Sequence, residues 1–275
     1  MTEFLPIVSP QWLQSQLSKP EMVIVDCRFS LKNPQFGYQA YLEGHIPGAH
    51  YLHLEQDLSS EVKIHGGRHP LPANECLANK LVELGIEQGK TLVIAYDDSR
   101  FAFASRLWWL LRYLGHEQVA LLDGGWSSWQ NLGYQISTKQ PASNQTGNFT
   151  AKPQLTWVVE RETLKLRKDL PGVVLIDSRS PERYRGEQEP IDPIAGHIPG
   201  AVNSPWQDIT DVNGNLRSLA VQRQIWSKYA EAEEIILYCG SGVTACVNLF
   251  SLNLVGHHQT KLYIGGWSDW CSYLI

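Results

Sequence analysis

Four blocks of sequence occur twice in the same order, and this internal repeat limits the folds open to the chain more than any other feature. VIVDCR at 23–28 returns as VLIDSR at 174–179, and GHIPGA at 44–49 returns unchanged at 196–201. LVIAYD at 92–97 corresponds to EIILYC at 234–239, and GGWSSW at 124–129 to GGWSDW at 265–270. The separations range from 141 to 152 residues, so insertions fall between the blocks and not within them. A chain of 275 residues built this way reads as two copies of one domain, spanning 1–140 and 157–275. From about residue 137 to 156 the chain is rich in Gln, Ser, Thr, Asn and Pro without apolar periodicity, so 141–156 reads as a linker.

Each copy alternates short apolar runs with amphipathic stretches, the pattern of a parallel sheet flanked by helices. The runs predict strands at 23–26, 91–96 and 119–122, and at 173–176, 235–238 and 261–264 in the second copy. Ser9 followed by Pro10 predicts a helix start, with the serine as N-cap and the proline in the first turn. Residues 103–114 and 244–255 are apolar at helical spacing and stop before Gly115 and Gly256. GHIPGA is expected to be a tight loop whose histidine hydrogen-bonds backbone within the loop. GGW is expected to be a strand-to-helix turn with a packing indole. Neither block is read as carrying the chemistry.

The formal charge is -5 and no basic run stands out, which argues against nucleic acid or an anionic membrane as partner. A small anionic substrate therefore needs a local cation. No apolar run reaches the roughly 18 residues of a membrane span. The start MTEFLPIVSPQWL lacks the basic and apolar regions of a secretory signal. The five cysteines, at 27, 76, 239, 246 and 271, are odd in number and widely spaced, with no CxxC pair. That argues against a disulfide framework or a zinc site and points to a reducing cytoplasm.

Comparison of the two copies singles out one cysteine. Where the first copy reads Tyr96-Asp97, the second reads Tyr238-Cys239, followed by Gly240-Ser241-Gly242-Val243-Thr244 and then a helical stretch. Open α/β sheets bind ligands at this kind of place, between the carboxyl end of a strand and a helix start. A loop with two glycines can turn several N–H groups inward onto an anion, and the helix start favours the thiolate. The alternative is a buried structural cysteine. Asp97 cannot act as a thiolate, so the first copy is expected to be silent.

The D-x-R, GHIPGA and GGW blocks, with a C-x-x-G-V-T loop in the second copy alone, resemble the tandem rhodanese sulfurtransferases over nearly the whole chain. The resemblance implies an α/β protein of two tandem rhodanese-like domains, each a central parallel sheet flanked by helices. It implies that Cys239 takes a sulfur atom as a persulfide and hands it on. Gly240, Gly242, Val243 and Thr244 would then form the substrate-binding cradle. Thiosulfate-using members look like C-R-K-G-V-T, with cations beside the nucleophile. C-G-S-G-V-T is similar to the 3-mercaptopyruvate sulfurtransferases, whose serine ends a Ser-His-acid array. By motif, that array falls on Ser241, on His69 in R-H-P-L-P, and on Glu55 in YLHLEQ, with Asp57 as the substitute acid. It draws the histidine from the first copy and the serine from the second.

Arg183 in S-P-E-R-Y-R-G-E matches the family position that grips the substrate's anionic end, where a planar guanidinium holds a carboxylate bidentately. Its alternative is a surface helix arginine, and Arg185 is its near neighbour. Many mercaptopyruvate enzymes carry a further arginine in P-R-D-G before GHIPG. This chain has Pro190-Ile191-Asp192-Pro193, and Ile191 cannot bind a carboxylate, so either mercaptopyruvate binds more weakly than in those relatives or another cation such as Arg68 supplies the contact.

The implied reaction moves sulfur from a small anionic donor to a thiol, cyanide or thioredoxin-like acceptor, with no metal or organic cofactor. Three alternatives stand beside it. One is a thiosulfate:cyanide sulfurtransferase, and one is a non-catalytic sulfur carrier or binding module. The third, a dual-specificity phosphatase, needs an arginine six residues after the cysteine, where this chain has Ala245.

Overall fold

A computed structural model of the protein describes residues 6–17, 19, 21–141 and 147–275. The chain divides into two compact units. Unit 1 comprises Met1–Ser60, Pro72–Gln154 and Val212–Leu216, and unit 2 comprises Glu61–Leu71, Leu155–Asp211 and Arg217–Ile275.

Each unit is built on five parallel strands. Those of unit 1 are β1 (Ile7–Val8), β2 (Met22–Asp26), β3 (Ala49–Tyr51), β4 (Leu92–Tyr96) and β5 (Val119–Leu122), ordered β1-β5-β4-β2-β3. Those of unit 2 are β6 (Val158–Val159), β7 (Val173–Asp177), β8 (Val202–Asn203), β9 (Glu234–Tyr238) and β10 (Thr260–Tyr263), ordered β6-β10-β9-β7-β8. The two orders match position for position, and helices cover the sheets. β4 and β9 stand in the middle, and every residue of β9 is buried. Burial on both faces is why 235–238 reads as a continuous apolar run.

The helix Pro10–Gln16 starts as predicted, with the Ser9 side chain accepting the Trp12 N–H at 3.1 Å. The helices Ala104–Tyr113 and Ala245–Leu254 also form as read, and Gly115 and Gly256 follow them at positive φ.

The four repeated blocks meet in each unit. In unit 1 the buried guanidinium of Arg28 forks onto Asp26 at 2.6–3.1 Å, donates to Gly44 O of GHIPGA at 2.6 Å, and lies 4.4 Å from the ring centre of Trp126 in GGW. Tyr96, from the LVIAYD block, donates its hydroxyl to Asp26 at 2.7 Å and accepts the Ile46 N–H at 3.3 Å. Unit 2 repeats this with Arg179 on Asp177, on Gly196 O at 2.7 Å and over Trp267 at 5.1 Å, while Tyr238 accepts the Ile198 N–H at 3.1 Å. The repeat thus records a buried ion pair that ties strand, loop and indole together.

Two expectations need correction. The GHIPGA histidines do bond to backbone, but outside their own loop: His45 Nδ1 lies 2.7 Å from Tyr41 O, and His197 Nδ1 lies 2.7 Å from Tyr184 O. Each ring stacks on that same tyrosine with centres 4.0 Å apart. Within the linker reading, 142–146 lie outside the described residues, and 147–154 are bonded to unit 1. The Gly147 N–H donates to Val82 O at 2.9 Å, Lys152 N–H donates to Leu114 O at 3.0 Å, and Phe149 is buried.

Candidate active site

Cys239 is the first residue beyond β9, and only 1% of it is exposed. Its carbonyl accepts the Trp267 N–H at 2.8 Å, and that of Gly240 accepts the Ser268 N–H at 2.9 Å. The helix Gly266–Cys271 therefore grips the loop from one side, and the helix Ala245–Leu254 starts at its other end. Gly242 has φ +72, and a Cβ there would lie 2.4 Å from Ile264 O, so only glycine makes this turn.

Ser241 and His69 are brought together. Both are buried, and Ser241 Oγ shares a 2.6 Å hydrogen bond with His69 Nδ1. By sequence His69 belongs to the first copy, but its segment, Glu61–Leu71, folds into unit 2. The second GGW block holds it there. Asp269 Oδ1 accepts the Gly66 N–H at 2.7 Å, Ser268 Oγ accepts the Arg68 N–H at 3.2 Å, and Tyr263 donates its hydroxyl to Asp269 Oδ2. His65 stacks on Tyr273 with centres 3.8 Å apart. Gly67 has φ +83, and a Cβ there would stand 2.4 Å from Gly265 O.

Arg183 and Arg68 converge on Gly240. A Cβ on that glycine would lie 2.9 Å from Arg68 Nη2 and 3.6 Å from both terminal nitrogens of Arg183. Arg183 forks onto Glu189 at 2.6 and 3.1 Å and reaches Asp192 Oδ2 at 3.2 Å. Arg68 pairs with the other oxygen of Asp192. Arg185, by contrast, pairs with Glu187 in solvent. Glu189 also accepts from Arg179 at 3.1 Å, which links the D-x-R pair of unit 2 to the site. Both acids are buried, with side-chain exposures of 3% for Glu189 and 2% for Asp192. No motif in the sequence marks these two acids as part of the site. Both stand in E-Q-E-P-I-D, an acidic run that begins four residues after Arg183, but its partners depend on the tertiary fold.

The two candidate acids of the array belong to unit 1. Glu55 is exposed, and its N–H donates to His53 Nδ1 at 3.1 Å. Asp57 is half-buried; its Oδ2 accepts the His53 N–H at 2.7 Å and its Oδ1 lies 3.5 Å from Lys80 Nζ.

Unit 1 holds a filled version of the same loop. Asp97 Oδ1 accepts the N–H groups of Ser99 and Phe101 at 2.8 and 3.0 Å. Its Oδ2 accepts those of Phe103 and Ala104 at 2.9 and 2.8 Å. The backbone thus closes on an internal carboxylate, a cradle of the type that binds anions at a helix start. Burial pushes the Asp97 carboxyl up to about 6, against the pull of the Ala104, Ser99 and Phe103 N–H groups.

Burial, with Asp26 next in effect, holds the Cys27 thiol well above its ordinary range, and burial also pushes Cys271 up. Among the described residues, no three His, Cys, Asp or Glu side chains gather as a metal site, and no helix is long and apolar enough to cross a membrane.

The chain is thus a doubled parallel α/β protein with a cysteine loop at the end of one central strand. Residues 9–132 and 160–273 each match the rhodanese-like domain, and the chain belongs to the rhodanese family. It is 43% identical over 269 residues to a probable 3-mercaptopyruvate sulfurtransferase of Pseudomonas aeruginosa, covering 96% of this chain and 94% of that protein. It is 38% identical over 252 residues to a putative thiosulfate sulfurtransferase of Mycobacterium tuberculosis, covering 90% of this chain and 87% of that one. The crystal structure of the Escherichia coli 3-mercaptopyruvate enzyme superposes with a TM-score of 0.83 at 33% identity, covering 96% of this chain and 99% of that one.

Proposed function

We propose that this protein is a sulfurtransferase that moves a sulfur atom from 3-mercaptopyruvate, through a persulfide on Cys239, to a thiol or cyanide. The observation that carries the reading is the composition of one loop. A buried cysteine ends the central strand of unit 2, the next residue but one is hydrogen-bonded to His69, and two guanidinia stand against the glycine between them.

In the first half-reaction the Cys239 thiolate attacks the donor sulfur, forming an S–S bond while the donor's C–S bond breaks. The bonding electrons pass to the three-carbon fragment as the enolate of pyruvate. Arg183 holds the donor carboxylate, and the loop N–H groups accept developing charge. Ser241, relaying with His69, delivers a proton to the enolate carbon. In the second half-reaction a thiolate or cyanide takes the outer sulfur and returns Cys239 as thiolate. A thioredoxin-like protein, which presents a thiolate of its own, is a further acceptor class. Glu55 and Asp57 remain the two candidates for the acid of the array.

Transfer from thiosulfate is the second reading, favoured by the pair of arginines and by the name of the mycobacterial relative. Sulfite leaves without needing a proton, so the Ser241–His69 pair would have no role in it. Steady-state rates with each donor and one acceptor decide between them. Mercaptopyruvate is expected to lead in kcat/KM. A tenfold lead for thiosulfate, about 1.4 kcal/mol of transition-state preference, contradicts the donor assignment.

A further inference from the structure

The loop itself is uncharged, yet its surroundings are not. A side chain at position 240 would project into the guanidinium of Arg68, 2.9 Å from Nη2, with Arg183 close behind. Space beside the nucleophile that a loop arginine would fill is therefore already occupied by a cation from Glu61–Leu71. What distinguishes this arrangement from a bare cationic site is Asp192. Its carboxylate is 2% exposed and bridges the two arginines, one oxygen to each, whereas their own side chains are 26% and 18% exposed. The acid is buried and the cations are the accessible face. Arg179, Arg183 and Arg68 together face Asp177, Glu189 and Asp192, so positive and negative charges balance around the loop.

We propose that Asp192 sets the choice of donor, holding the site to donors with one negative charge by neutralising Arg68 and Arg183 beside Cys239. The inference rests on the sulfurtransferase reading and concerns its specificity. Attraction scales with the product of charges and is weakly screened in a buried site, so one unit of added positive charge favours a dianion over a monoanion. Asp192 acts through the arginines and touches no reacting atom, which makes it a positioning residue.

The test measures kcat/KM for thiosulfate and for 3-mercaptopyruvate, with cyanide as acceptor, in the unmodified protein, Asp192→Asn, Arg68→Gln and the double variant. Asp192→Asn is expected to raise the thiosulfate-to-mercaptopyruvate ratio at least tenfold, and the double variant to lose most of that rise. Arg68→Gln alone is expected to depress thiosulfate more than mercaptopyruvate, which keeps the test usable if Asp192→Asn fails to fold. A ratio within twofold of the unmodified protein in Asp192→Asn overturns the proposal, as does a shift that persists without Arg68. An equal fall for both donors in the Arg68 variant also overturns it. Which donor leads in the unmodified protein tests the underlying reading separately, because the change in ratio is defined whichever one leads.

Discussion

Ser241 and His69 sit 2.6 Å apart in a buried setting, and the proposed chemistry gives them a task that depends on the donor. Mercaptopyruvate leaves an enolate that must be protonated, whereas thiosulfate leaves sulfite, which needs no proton. Replacing Ser241 with Ala is therefore expected to lower turnover of mercaptopyruvate by about a hundredfold, the lower range for a lost acid–base group, and to leave thiosulfate turnover within about threefold. Steady-state kinetics with both donors checks this, and equal losses would remove the pair from proton transfer. The identities of these residues were legible in the sequence through the C-x-x-G-V-T and R-H-P-L-P motifs. The pairing of Arg68 with Asp192 was not, because the two lie far apart in the chain and only the fold brings them together.

Two short segments decide where the functional groups stand. The stretch around Gly66-Gly67 carries Arg68 and His69 into unit 2, and Gly67 fits only because it lacks a side chain and adopts φ +83. Gly67→Ala is expected to shift the segment off Gly265 and lower kcat/KM for mercaptopyruvate at least tenfold, with the midpoint of thermal unfolding little changed. A full-activity variant would show that the segment is not under this constraint. The loop after β4 makes a second test. A folded carboxyl near 6 against an ordinary 3.8 binds its proton more tightly in the folded state, so Asp97 contributes less stability as pH rises from about 4 to 6. Asp97→Asn lacks that dependence, though it loses N–H acceptors at every pH. The variant's stability deficit in urea titrations is thus expected to be smaller at pH 7 than at pH 4.5, and a deficit that is constant or larger at pH 7 contradicts the assignment. Strands β2, β4, β5, β7, β9 and β10 were readable as apolar runs of four or five residues. β1, β6 and β8 have two residues each and β3 has three, too few to show any period, and they exist because a neighbouring strand offers an edge.

Taken as a whole, the molecule keeps one architecture twice and uses it differently. The D-x-R pair stabilises both copies, so Arg28→Met and Arg179→Met are each expected to cost about 3–5 kcal/mol by stranding a buried aspartate. Only Arg179 also holds Glu189 and through it Arg183, so only that variant is expected to raise KM for the donor beyond its effect on stability. Denaturant unfolding together with donor saturation curves separates the two, and matched kinetics in both variants would contradict the link. The repeat made the doubling plain from sequence. The asymmetry was visible as Asp97 against Cys239, but that Asp97 fills its own loop came from four N–H groups that no motif encodes. On the proposed chemistry, one cysteine loop and one filled loop per chain lead to a definite stoichiometry. The intact mass of the protein, taken after incubation with 3-mercaptopyruvate and without acceptor, is expected to rise by one sulfur atom per chain, located on Cys239 by peptide mapping and absent in Cys239→Ser. A gain that persists in Cys239→Ser, or no gain in the unmodified protein, would contradict the account.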